Sequence, residues 1–148
     1  MTRFAAVAMS VALVGCGGDS GDQSRDAAPE AEAAPAAGTV TIVEPADGAV
    51  LDPGPVLFVL ETDGVEIVAA GNMDAGTGHH HLIVDADVDW ALPIPHDVGV
   101  HYHMGQAETE FTLTDLAPGE HRIIAVVADG VHIPLDPPVS DTITVVVR

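Results

Sequence analysis

Gly76-Thr77-Gly78-His79-His80-His81-Leu82-Ile83-Val84-Asp85 is the stretch whose reading decides the fold. A glycine-punctuated turn hands three consecutive imidazoles to an apolar run that ends on an acid, and the segment reads as a β-strand. Residues i and i+2 of a strand point to one face, so His79 and His81 would stand roughly 7 Å apart on the same side. If Asp85 marks the wet face, His79 and His81 share it, and His80 turns with Leu82 and Val84 toward a core. A second cluster, His101-Tyr102-His103-Met104, repeats the spacing one loop later.

Outward from this stretch the chain continues in short alternating segments separated by turn chemistry. Strands are expected at residues 39–44, 56–62, 65–69, 79–85, 108–114, 121–129 and 139–147. Pro45-Ala46-Asp47-Gly48 and Pro53-Gly54-Pro55 supply turns, and Asp63-Gly64 a hairpin connection between the second and third strands. Phe58 and Trp90 are expected in the core. The fold class is therefore all-β: an immunoglobulin-like antiparallel β-sandwich of about seven strands over residues 39–148. Leu113-Thr114-Asp115-Leu116-Ala117-Pro118-Gly119-Glu120-His121 resembles the corner of fibronectin-type sandwiches, with His121 where those place an inward tyrosine. Sharing a face with Ile123, Ala125 and Val127, His121 should bond the corner backbone and serve structure.

The N-terminal residues read differently. Arg3, an apolar run from Phe4 to Val14 and then Gly15-Cys16 form a signal peptide too short to span a bilayer. Leu13-Val14-Gly15-Cys16 resembles the lipobox of bacterial lipoproteins, which implies cleavage after residue 15 and lipidation of Cys16. Gly17, in place of Asp, resembles lipoproteins sorted to the outer membrane with the domain facing the periplasm. Residues 16–38, rich in Gly, Ser, Asp, Glu, Ala and Pro, lack the apolar side chains to order themselves and read as a flexible tether. With Cys16 acylated no thiolate remains, so any soft donor must be Met73 or Met104.

The formal charge of −19, from 23 acidic and 4 basic residues, excludes phosphate backbones and anionic lipid surfaces as partners. It favours solubility and attracts cations. Clustered neutral imidazoles without thiolate suit zinc, copper or nickel, and an adjacent thioether tilts the choice toward copper. The ligand set expected is His79, His81, His101 and His103, with His80, Met104 and His132 as weaker candidates. His96 is a further loop histidine, and Glu108 or Glu110 would accept from the distal ring N–H groups.

Taken together, the Gly76–Asp85 stretch, His101-x-His103, Gly105-Gln106-x-Glu108-x-Glu110, Leu116-x-Pro118-Gly119-x-His121 and His132-x-Pro134-x-Asp136-Pro137-Pro138-Val139 resemble the bacterial domain of unknown function 4399. The resemblance spans about residues 63–147 and implies an exported, often lipid-anchored domain. It implies no chemistry. Members often carry a second histidine where this chain has Leu135.

The expected function is a cell-envelope lipoprotein that binds a transition metal, copper ahead of zinc, for storage, delivery or sensing. The alternative is a structural or adhesive module that binds envelope glycan or a protein partner, its histidines ordering loops. An enzyme ranks third: a copper-zinc dismutase sandwich also mounts His-x-His on a strand, but no disulfide pair and no Gly-x-Ser-x-Gly elbow is present. No catalytic residue and no organic cofactor is expected.

Overall fold

The computed structural model describes residues 38–148. The leader, the lipidation at Cys16 and the tether fall on residues outside the described part, Gly38 apart. Nine strands follow in order: β1 (Thr39–Glu44), β2 (Val50–Leu51), β3 (Val56–Asp63), β4 (Glu66–Ile67), β5 (Thr77–Val84), β6 (His101–Met104), β7 (Glu110–Leu113), β8 (Gly119–Ala128) and β9 (Ser140–Val147). They form two sheets, β1-β3-β7 and β2-β9-β8-β5-β4, with β6 paired to the remaining half of β5. Pairing is antiparallel except for two short parallel contacts, β2 with β9 and β4 with β5.

Alternation along the strands builds the space between the sheets. Val40 and Ile42 of β1, and Val56, Phe58 and Leu60 of β3, face Leu82 and Val84 of β5, Met104 of β6, Ile123, Ala125 and Val127 of β8, and Ile143 and Val145 of β9. Phe58 is fully buried at the centre. The Asp141 carboxylate of β9 accepts a hydrogen bond from the Ile42 N–H at 2.8 Å, and β1 shifts register between Ile42 and Glu44, curling the smaller sheet toward the larger.

The larger sheet has a second interior. Ile83 of β5 and Ile124, Val126 and Ala128 of β8 turn away from the main core and are buried against Ile94, with Ala86 and Val88 packed beside them. The covering residues all come from the connection between β5 and β6. Residues 123–128 of β8 are thus buried on both faces, which is why Ile123-Ile124-Ala125-Val126-Val127-Ala128 shows no polar alternation.

Three expectations change. Asp63-Gly64 does not close a hairpin: the chain leaves the smaller sheet there, and β4 pairs in parallel with β5 through Glu66↔Thr77 and Ile67↔Gly78. The face carrying His79 and His81 is not wet: the β5–β6 connection covers its Ile83 end, and the rings of His103 and His132 lie against the two histidines. Trp90 is 44% exposed on that connection and is not a core residue.

Candidate metal centre

The three consecutive histidines of β5 divide by parity between the two interiors. His80 faces the main core and is fully buried. Its Nδ1–H donates to the Glu108 carbonyl at 2.9 Å, and the Thr62 hydroxyl of β3 donates to its Nε2 at 2.7 Å. A carbonyl only accepts, so these partners fix the neutral tautomer, and burial keeps its pKa below the usual value. With both nitrogens committed, His80 joins the sheets and has no lone pair for a metal.

His79 and His81 face the second interior, each 1% exposed. Antiparallel register sets His103 of β6 directly beside His81. His132 arrives from the turn between β8 and β9 in a left-handed conformation, φ 71°, rare for a side chain of this size. Asp129 holds that turn: its carboxylate accepts from Val131 N–H and Ile133 N–H, both at 2.9 Å, and its carbonyl accepts from His132 N–H at 2.9 Å. The neighbouring loop is drawn in tightly, since a Cβ on Gly130 would fall 2.2 Å from the Asn72 carbonyl oxygen. Gly105 does the same for His103: a Cβ there would lie 2.2 Å from the imidazole. Sequence reasoning gives these two glycines no role.

One nitrogen from each of His79, His81, His103 and His132 falls within 4.8 Å of all the others. Nε2 of His79 and of His81 are 3.0 Å apart, and those of His103 and His132 are 3.2 Å apart. All six pairs of ring centroids are separated by 4.8 to 5.5 Å. Six nearly equal distances among four points describe a tetrahedron, since in a square the two diagonals would be longer by about four tenths.

The electrostatics favour the neutral forms of His79, His81 and His103. Burial, reinforced by the neighbouring imidazoles, lowers His79 to about 4 and His81 to about 2. Burial lowers His103 as well, with His132 and His96 adding to the effect. Two carboxylates oppose the trend, Asp129 at His79 and Glu108 at His103. Among the described residues, Nδ1 of His79 is buried without a hydrogen-bond partner to offset its desolvation. Four imidazoles directed at one another are suited to a shared cation.

The remaining candidates lie elsewhere. His101 shares the face of His103 but sits one step further along β6, opposite Ile83, where it lines a small pocket with Val88, Pro93, Ile94 and Pro95. Its Nδ1 is 3.5 Å from the Asp97 carboxylate, and it does not belong to the four-histidine group. Met104 is fully buried in the main core on the opposite face, and Met73 is exposed. The Glu108 carboxylate accepts from Gln106 N–H rather than from a ring N–H, and Glu110 is exposed on β7. His121 bonds the corner, with Nε2–H donating to the Ala117 carbonyl at 2.7 Å and Nδ1–H donating to the Asp85 carboxylate at 2.7 Å.

Comparison with known proteins identifies the family. The domain of unknown function DUF4399 matches residues 58–148, more than half of the chain, and the chain belongs to that family. No curated protein matches it. Among solved structures it is similar to a crystal structure of an engineered protein, at 18% identity and a TM-score of 0.44. The alignment covers 78% of this chain and 21% of that one.

Proposed function

We propose that this DUF4399 domain is a non-catalytic metal-binding module that holds one transition-metal ion through His79, His81, His103 and His132. The observation that carries the reading is the tetrahedron of ring centroids. A metal–nitrogen bond of about 2.0–2.1 Å puts a ring centroid about 3.2 Å from the ion, so a tetrahedral set has centroids about 5.2 Å apart, whereas a square-planar set has trans centroids at about 6.4 Å. The separations of 4.8 to 5.5 Å follow the first pattern. Tetrahedral nitrogen coordination suits the d10 ions Zn(II) and Cu(I). The thioether that favoured copper, Met104, is directed into the main core, so the donor set gives copper no advantage over zinc.

The test is thermal unfolding with and without added ion. One equivalent of Zn(II), or of Cu(I) under reducing conditions, should raise the melting temperature of the wild type, because an ion bound only by the folded state stabilises it by mass action. The His79→Ala/His81→Ala/His103→Ala/His132→Ala variant should show no such rise. An equal shift in both proteins, or in neither, would leave the histidines as loop-ordering elements of an adhesive module.

The strand order supports an immunoglobulin-like sandwich. β1 pairs antiparallel with β3 in one sheet, and β2, which follows it, pairs parallel with the last strand in the other. The setting we propose is the bacterial cell envelope, with a lipid anchor at Cys16. The leader residues and Leu13-Val14-Gly15-Cys16 support this. Labelled fatty acid should appear in the wild type and be lost in Cys16→Ser, and equal labelling of both would remove the anchor.

A further inference from the structure

We propose that His96 is the exchange ligand of this centre, the imidazole through which an ion enters and leaves the four-histidine set. The inference rests on the metal-binding reading above and assigns that site to delivery rather than to permanent storage.

The starting point is access. His79 and His81 are fully buried with the rings of His103 and His132 against them, whereas His103 and His132 are themselves only partly covered. Any route from solvent therefore passes the edge that His103 and His132 share. The ring of His96 lies on that edge, with centroids 5.3 Å from His103 and 5.2 Å from His132, the same spacing that the four inner rings keep among themselves. Its nitrogens nevertheless fall outside the compact group of four, and the residue is exposed. His96 is thus a fifth imidazole beside a set that is already complete.

The connection holds it there by means other than the imidazole. Ile94, two residues earlier, is 4% exposed in the second interior, and its N–H donates to the His132 carbonyl at 2.8 Å. Pro93 and Pro95 on either side of Ile94 restrict the backbone that leads to His96. Beyond His96, Gly99 takes φ 82° before β6 begins. A fixed point thus precedes His96 and a glycine turn follows it.

The chemistry follows from the count of donors. Four protein ligands around a tetrahedral ion leave no open position, and loss of any one ligand without a replacement costs a full metal–nitrogen bond. A fifth imidazole at the exposed edge allows substitution in which the bond to His96 forms as the bond to His103 or His132 breaks. Only donor bonds are exchanged, and no proton or electron has to move. The donor set falls apart from its outer side, toward carboxylate or imidazole groups of an acceptor in solution.

The experiment is the transfer of Zn(II) from the loaded full chain to an excess of a chromophoric chelator, followed by stopped flow for wild type, His96→Ala and His96→Gln. All three should bind one ion per chain and give the same Co(II) ligand-field spectrum. Transfer from both variants should be at least about tenfold slower, a change of ~1.4 kcal/mol in the barrier. Transfer as fast as or faster than wild type in His96→Ala would overturn the proposal, since His96 would then be a spectator or a cover. A changed Co(II) spectrum would also overturn it, making His96 a resident ligand. If the wild type takes up no ion, the reading beneath fails and this proposal with it. His96→Gln fills much of the same space without a ring, which separates the donor from the bulk.

Discussion

At the residue scale, His132 shows how a candidate ligand can be held against a conformational cost. A histidine at φ 71° is strained by about 1–3 kcal/mol, and Asp129 supplies the backbone hydrogen bonds that keep it in place. Glycine adopts that conformation freely and alanine does not. In the metal-free protein His132→Gly should therefore melt at a higher temperature than His132→Ala, and both should lose the stabilisation by Zn(II). Thermal unfolding of the two variants checks this, and His132→Ala melting above His132→Gly would show that the turn is not strained. Period-two alternation puts His79 and His81 on one face, and the same argument yields His103. His132 is a weaker candidate in sequence because nothing in Val131-His132-Ile133-Pro134 announces a left-handed turn or a place beside His81, about fifty residues earlier. Parity makes His101 as strong a candidate as His103, whose face it shares, but parity fixes the face and not the distance along it.

The elements follow the same logic of what local sequence can and cannot encode. Most strands are legible because each has one face in the main core. β8 is legible only as an apolar run, since its second buried face is covered by a connection with no regular structure of its own. The change of sheet at Asp63-Gly64 is invisible locally. Those two residues suit a hairpin, and the parallel pairing of β4 depends on Thr77 and Gly78, each eleven residues beyond its partner. Gly105 and Gly130 belong to the same class. Each is required by a group brought close by the fold, the His103 ring in one case and the Asn72 backbone in the other. Neither can be inferred from its neighbours in sequence.

For the whole molecule the consequence is a stability profile with two opposed arms. The folded pKa values of His79, His80, His81 and His103 are depressed below the unfolded value of 6.5, so the folded state refuses protons that the unfolded chain accepts. Their contribution is present above pH 6.5 and is lost as the pH falls toward about 4, where His79 titrates. His121 has the opposite sign. The Ala117 carbonyl and the Asp85 carboxylate both favour its protonated ring, so its pKa is raised, and its contribution is present below 6.5 and lost as the pH rises through the folded value. The metal-free protein should show a urea midpoint that falls on the acid side through the uptake of more than one proton. His121→Gln should remove the smaller decline on the alkaline side. A midpoint that stays constant from pH 7 to pH 4 would mean that the imidazoles are solvated and that the second interior does not form.

The two-sided burial of β8 reaches beyond stability. Ile123, Ala125 and Val127 answer to the sandwich, and Ile124, Val126 and Ala128 answer to the histidine layer. Substitutions at odd and at even positions of a single strand should therefore be felt on opposite sides of the sheet, so the apolar floor beneath the histidines can be altered, residue by residue, without repacking the scaffold on which the rest of the chain depends.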